Sequence, residues 1–183
     1  MTTTTRGVDH LAVVSDDMPT AMDFYTRVMG FALVHVRRVP YEQDRWQPPY
    51  DNLRHYFFDM GNDSLLAFFE IPRGAEPRAK RDGIGGMQHV AFAATPQNFE
   101  ALQKRLREAG VAYDGPLDIL PGLVSIYFLD PNGIRLEACC EPGKGEKPGV
   151  VESVRQTRNE ARAELESVDA GWARTTIAQG GFK

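Results

Sequence analysis

Two histidines and a glutamate are the residues of this chain whose placement calls for chemistry. Glu137 stands between Leu136 and Ala138, inside a run, Ile134–Cys140, that otherwise reads as an apolar core strand. A carboxylate buried in a sheet is costly unless it is paired or bound to a metal. His10 and His89 lie mid-strand in HLAV and HVAF, each followed by an apolar residue and then alanine. By alternation each imidazole shares its face with that alanine. A lone strand histidine is ordinarily a satisfied core residue. Two at equivalent positions of a repeat, with a glutamate closing the second copy, point instead to a metal site. Two imidazoles and one carboxylate on converging strands form the facial arrangement that leaves open positions on a divalent ion.

The elements that must position these groups repeat along the chain. Gly7–Val14 alternates like a half-buried strand, and Ser15-Asp16-Asp17 offers N-cap oxygens. Met18, Ala21, Met22, Tyr25 and Met29 follow at helical spacing before Gly30 stops the helix. Phe31–Arg38 is a second strand, and Leu53–Met60 with Leu65–Glu70 predicts a hairpin around Gly61-Asn62-Asp63-Ser64. Ile71–Gly86, charged and rich in glycine and proline, reads as a linker. The pattern then restarts. Met87–Ala93 is a strand, Thr95-Pro96 caps a helix with Phe99, Leu102, Leu106 and Ala109 on its apolar stripe, and Gly110 ends it. The last hairpin is LVSIYFLDPNGIRLEACC, turning at Asp130-Pro131-Asn132-Gly133. HLAV and HVAF are offset by 79 residues and the stop glycines by 80, whereas Tyr56 and Tyr127 are offset by 71, which implies a longer loop in the first copy. Two βαβββ units are the economical reading. Neither closes a core alone.

Composition sets the outer limits. At 183 residues and 42% hydrophobic content the chain can bury one good-sized core. A net charge of -4 gives no basic footprint for nucleic acid. The apolar runs, Leu65–Phe69 among them, are too short to cross a bilayer, and residues 1–6 lack the apolar core of a signal peptide. Cys139 and Cys140 are neighbours, poorly placed for an ordinary disulfide, and read as small buried residues, so a reducing cytoplasm is the expected compartment.

DHLAVVSDDMPTAMDFYTRVMGF at 9–31, QHVAFAA at 88–94 and FLDPNGIRLE at 128–137 together resemble the vicinal oxygen chelate superfamily. That superfamily includes glyoxalases, fosfomycin-resistance enzymes, methylmalonyl-CoA epimerases and extradiol ring-cleaving dioxygenases. The resemblance implies an α+β fold: two βαβββ modules, about 7–72 and 87–142, forming a curved mixed sheet around a metal-centred cavity, with 143–183 as a helical extension. It places His10, His89 and Glu137 on the ligand positions. Glyoxalase I and the epimerase take an oxygen ligand from the last strand of the first module. Laying LLAFFEIP over RLEACCEP puts Ala67 opposite Glu137 and Glu70 opposite Cys140, so Glu70 is a fourth ligand only if a β-bulge turns it round. The three-ligand set is similar to extradiol dioxygenases or fosfomycin transferases.

Tyr127 bears on that choice. It precedes Glu137 by ten residues, the spacing of an active-site tyrosine in the extradiol motif, and its hydroxyl would donate to the bound substrate. It reads equally as an aromatic residue packing on the sheet, and Tyr56 occupies the same slot in the first copy. Extradiol enzymes also carry an acid/base histidine near the cavity, before the Ala67 equivalent; Asp63-Ser64-Leu65 has none, and His55 on the neighbouring strand is the substitute. His35 reads as a sheet-edge residue. For an anionic phosphonate, Arg37, Arg38, Arg54 and Arg135 are the candidate cations. Tyr41, Trp46 and Tyr50 in Val39–Asn52 make either a substrate lid or a rigid surface loop or dimer contact.

The favoured expectation is therefore an Fe(II) extradiol-type dioxygenase acting on a small catechol-like substrate. A glyoxalase-like lyase or isomerase, or a fosfomycin-type thiol transferase, using Ni(II), Zn(II), Co(II) or Mn(II), is the second. A metal-free ligand-binding protein is the third. Val150–Val168 reads as a helix with a thin stripe of Val151, Val154, Ala161, Leu165 and Val168, with Trp172, Ile177 and Phe182 beyond it, and is expected to support a homodimer.

Overall fold

The computed structural model describes residues 5–39, 50, 52–120, 122–142 and 149–178. Two compact units divide the chain, one spanning Gly7–Glu146 and the other holding the C-terminal helices. The larger unit contains two four-stranded mixed sheets. In the first, β1 (His10–Ser15), β2 (Ala32–Arg38), β3 (Arg54–Asp59) and β4 (Leu65–Glu70) lie in the order β1-β4-β3-β2. In the second, β5 (Val90–Ala93), β6 (Tyr113–Leu120), β7 (Leu123–Leu129) and β8 (Arg135–Cys140) lie in the order β5-β8-β7-β6. The parallel pairs β1–β4 and β5–β8 put each histidine-bearing segment beside the last strand of its own copy. This is the α+β architecture of two βαβββ units.

The hairpins of the two copies are in step, which corrects the sequence alignment. Phe57 pairs with Ala67, and Tyr127 pairs with Glu137. The offset is thus 70 on both strands, with turns of equal length, and Phe57, not Tyr56, is the counterpart of Tyr127. A one-residue slip reverses the face of every side chain, so the difference matters. Tyr56 lies on the opposite face and donates to Glu70 Oε2 at 2.6 Å.

Pro19 and Pro96 open the two helices of this unit, behind capping oxygens of Asp17 and Thr95. α1 (Met18–Asp23) runs into a π-helical turn, Phe24–Val28, closed by the Met29 N–H on Phe24 O at 3.0 Å. Phe24, Tyr25 and Val28 are buried there; with Ala21 they stand at i, i+3, i+4 and i+7, so the core-facing stripe is wider than Met18, Ala21, Met22, Tyr25 and Met29 alone. α2 (Pro96–Glu108) buries Phe99, Leu102 and Leu106 as its spacing predicts. One core joins both copies: these helices, Phe58, Leu66 and Phe68 of the first sheet, and Ile126, Phe128, Leu136, Ala138 and Cys140 of the second. β6 is weakly marked in the sequence, because YDGPLDIL carries Gly115-Pro116 and two register shifts. A Cβ on Gly115, whose φ is +108°, would stand 2.6 Å from Ser125 O, so only glycine lets β6 approach β7 there.

The C-terminal unit is broken where the sequence suggested one helix. α3 (Val150–Ser153) ends early. Thr157 then starts α4 (Arg158–Val168) through a reciprocal cap with Glu160, and α5 (Ala170–Ala178) follows. The capping box outcompetes continuation of the helix. Ala161 and Ala173 are its buried residues, while Val150, Val151, Val154, Val168 and Trp172 are exposed. No helix among the described residues is long and apolar enough to cross a membrane.

Asp130 fastens the two copies together. Its Oδ1 accepts from the N–H groups of Asn132 and Ile134 at 2.9 and 2.7 Å. Its Oδ2 accepts from Asn132 Nδ2 at 2.9 Å and from the buried Tyr25 hydroxyl at 3.0 Å, and Ser15 Oγ donates to Asn132 Oδ1 at 2.7 Å. Burial pushes the Asp130 carboxyl above its ordinary value and raises the Tyr25 phenol well above its own, so Tyr25 remains a donor. Replacing Tyr25 by Phe removes one donor from a buried carboxyl; it should cost about 1–3 kcal/mol, read from the urea midpoint, with little change in the far-UV circular dichroism.

Candidate functional site

Alternation sorts each sheet into a face that packs on the helices and a face that does not. On β1, Leu11 and Val13 pack into the core, while His10, Ala12 and Val14 are exposed on the other side. His10 Nδ1 lies 2.7 Å from Asp9 Oδ1, so its Nε2 is the nitrogen left to act. On the same face β3 presents His55 and Phe57, with ring centroids 6.5 and 6.1 Å from that of His10. The His55 ring stacks on Phe69 at 3.9 Å, and its Nε2 is buried without a hydrogen-bond partner. Burial, then the neighbouring charges of His10, Arg37 and His35, holds His55 below the usual imidazole range. It is accordingly a neutral base near neutral pH. His35 and Arg37 stand opposite Phe57 and His55 on the edge strand β2.

The second sheet carries the acidic half. Glu137 is 6% exposed and lies opposite Tyr127 and beside Ala91. Its Oε1 accepts from the fully buried Ser125 hydroxyl at 2.6 Å, and its Oε2 lies 2.9 Å from His89 Nε2. Gln88 Oε1 is hydrogen-bonded to His89 Nδ1, which aims Nε2 at the carboxylate. Tyr127 sits with its ring centroid 5.9 Å from that of His89, under the Arg135 guanidinium at 4.4 Å. Burial first, then the hydrogen bond and charge of Glu137, raises the Tyr127 phenol, which therefore keeps its proton. Ser125 is the second-sheet counterpart of His55 by the offset of 70, so one slot holds a base in one copy and a hydroxyl in the other.

Within one chain the structure brings together His89, Glu137 and Tyr127, and separately His10 with His55. It does not unite all three expected ligands. Among the described residues no group of three His, Cys, Asp or Glu side chains lies close enough to hold a metal ion. His89 and Glu137 belong to the second sheet's side of the molecule, and His10 to the first sheet. Glu70 stays on the core-side face of β4, because the β3–β4 register runs without a bulge from Arg54 to Asp59. Ala67 stands where Glu137 stands in the second copy, so the first sheet adds no carboxylate at that position. Cys139 and Cys140 are buried, with Cys139 Sγ 3.5 Å from Phe92 O. Tyr41 and Trp46 lie outside the described residues, and Tyr50 donates to Glu76 Oε1.

The donor set nevertheless suits a divalent ion. Both histidines have Nδ1 held by the residue immediately before them, Asp9 or Gln88, which fixes the tautomer and leaves Nε2 as ligand. Those two orienting residues went unidentified in the sequence, although a polar residue preceding each strand histidine is the visible signal.

A sequence model of the Glyoxalase/Bleomycin resistance protein/Dioxygenase superfamily matches residues 7–138. Among solved structures, the chain is similar to a glyoxylase/bleomycin resistance protein/dioxygenase domain from Frankia sp. EAN1pec. The identity there is 19% and the TM-score 0.62, over 75% of this chain and 99% of that one. It is also similar to a glyoxalase/dioxygenase from Nostoc punctiforme, at 23% identity and TM-score 0.56, over 75% and 92% of the two chains. A third is a mutant of the fosfomycin resistance protein FosX from Listeria monocytogenes, complexed with Mn(II) and 1S,2S-dihydroxypropylphosphonic acid. It shows 15% identity and a TM-score of 0.55, over 81% and 97%. At such identities the likeness is one of fold.

Ser125→Ala would leave Glu137 Oε1 without its buried donor. The expected loss is about 1–3 kcal/mol of stability, measured by urea unfolding of metal-free protein, and Ser125→Thr should recover part of it.

Proposed function

The chain belongs to the Glyoxalase/Bleomycin resistance protein/Dioxygenase superfamily, and from that premise we propose a metal-dependent enzyme whose site is completed by two copies of the chain. His10 of one copy joins His89 and Glu137 of the other. The observation that carries the reading is the matched pair of half-sites, each with an oriented imidazole, on sheet faces opposite those that pack on α1 and α2. Those faces expose apolar side chains: Val14 is 51% exposed on the first sheet, and Leu117, Leu120 and Leu129 are 43–52% exposed on the second. Large apolar side chains left exposed on both faces suit burial against another sheet. A two-fold pairing of unlike sheets covers both faces at once and yields two equivalent sites.

The chemistry proposed for that site is extradiol ring cleavage of a small catechol. Bound Fe(II) would supply Lewis acidity toward the substrate oxygens and a one-electron route to dioxygen. The protein's residues do the rest. His55, neutral and with a buried, unpartnered Nε2 on the His10 face, accepts a proton from a substrate hydroxyl. Tyr127, kept protonated beside Glu137, donates its hydroxyl to the substrate oxygen and fixes the ring against the sheet. The phenyl rings of Phe57 and Phe69 flank His55 and limit its access to water.

A second reading rests on the cationic side of the first half-site. His35 and Arg37 flank His55 on the sheet edge and would suit an anionic substrate such as a phosphonate, with Mn(II) or Zn(II) in place of iron and a thiol or water as nucleophile. A glyoxalase-type site is less well supported, since Ala67 supplies no carboxylate oxygen.

Air-exposed protein loaded with Fe(II) should turn over members of a catechol panel to yellow ring-opened products. His55→Ala should lower that rate by roughly 10²–10⁴ while leaving metal affinity unchanged. A colourless panel together with thiol- or water-dependent turnover of a phosphonate epoxide would transfer the assignment to the second reading.

The shared site has its own test. His10→Ala and Glu137→Ala should each abolish tight metal uptake. Mixed and allowed to exchange, the two variants should regain about one quarter of the wild-type sites, because half of the pairs are mixed and each mixed pair holds one intact set. No recovery on mixing, with metal bound by a protein that stays monomeric in sedimentation, would sink the two-copy site.

A further inference from the structure

A cleft of about 580 Å³ lies between the two copies of the repeat, lined by residues of both and by none of His10, His55, His89, Tyr127 or Glu137. Its floor is the face of α2 that carries Asn98, Leu102 and Arg105, three residues spread over about 10 Å of helix. Its walls are Phe31 and Met60 from the first copy and Phe92 from β5 of the second, with Phe31 and Phe92 in edge-to-face contact at 5.4 Å.

Arg105 is the cation of this lining, beside the aromatic walls and the polar Thr95, Asn98 and Asp59. Its Nε is buried and has no hydrogen-bond partner. No ion pair to Arg105 occurs among the described residues. The guanidinium lies against Gly30: a Cβ there would meet Nη1 at 2.6 Å, so the missing side chain is what makes room for it. Arginine stays charged at any ordinary pH, and on this half-buried side chain the Nε–H has lost its water without gaining an acceptor. Asp59 also lines the cleft, but its Oδ1 already accepts from the Gly61 N–H at 2.7 Å.

From this geometry we infer that the cleft is a binding site for a small organic monocarboxylate with an apolar body. The carboxylate meets Arg105, and the hydrocarbon or aromatic part lies against Phe31 and Phe92. Guanidinium and carboxylate match in shape as well as charge. Asp59 sets a polarity: a second negative group at its end of the cleft is repelled, which selects monoanions over dianions. Because the walls come from both copies of the repeat, an occupant would tie them together and raise the melting temperature by mass action. The site is separate from His10, His55, His89, Tyr127 and Glu137, so it stands or falls independently of the proposed reaction.

Calorimetry with 4-phenylbutyrate, 4-phenylbutanol and inorganic phosphate on chelator-treated protein tests it. The expected result is saturable binding of 4-phenylbutyrate with a Kd of about 1 mM or tighter, no saturable binding of the other two, and a matching rise in melting temperature. Arg105→Gln should weaken the carboxylate roughly tenfold or more, and Arg105→Lys, which keeps the charge and loses the fork, by less. Glu137→Gln should bind it as the unaltered protein does. Equal binding of the alcohol, equal binding of phosphate, or carboxylate binding unchanged in a folded Arg105→Gln variant would overturn the inference, as would the absence of any carboxylate binding.

Discussion

The buried carboxylate of Asp130 is the constraint on which the remainder of the molecule depends. It sits at the β7–β8 turn and collects two backbone N–H groups, an amide and a phenol, so both of its oxygens are filled. Two of these bonds shape the turn and thereby set the register in which Tyr127 faces Glu137. The Tyr25 bond, with the Ser15 bond to Asn132, reaches into the other copy of the repeat and holds its first strand and first helix against the turn. Desolvating a carboxyl to this degree is unfavourable in itself, as its raised pKa shows. The network of donors offsets that cost and confers a single arrangement on the seam.

From that seam follows a division of labour between sheet faces. Each sheet spends one face on the shared core, and the alternate residues are left to line the other face. Ser125, Tyr127 and Glu137 on one sheet, and His10, His55 and Phe57 on the other, are all products of period-2 alternation about a helix-facing set. The middle of those faces is closed off, with Ala67 and Ser125 fully buried and Glu137 nearly so, whereas β2 and β6 at the edges stay open. A polar group in such a half-enclosed trough is desolvated enough to bind strongly and reachable enough to react.

The duplication also shows how a repeat diverges around chemistry. By the common offset of 70, Ala67 answers Glu137, Phe57 answers Tyr127 and His55 answers Ser125. The first copy lacks the carboxylate and the phenol and carries a second imidazole, while the strand histidine and the polar residue that orients it occur in both. The halves are therefore complementary instead of redundant, one basic and one acidic.

Local pattern alone determined a good deal: the two βαβββ units, the strand histidines with their neighbouring alanines, Glu137 as a misplaced carboxylate, and Ala67 as its silent counterpart. These are legible because alternation and helix caps act over a few residues. Tertiary structure decided what depends on contacts distant in the chain. The exact pairing of β3 with β4 made Phe57, not Tyr56, the partner of Tyr127. β6 exists because Gly115 lets it close on β7, against a sequence that discourages a strand. The helices of both copies packed into one core, and among the described residues His10 does not join His89 and Glu137 in one cluster. Residue types announce which groups could share an ion; only the way two sheets pack determines whether one chain can bring them to it.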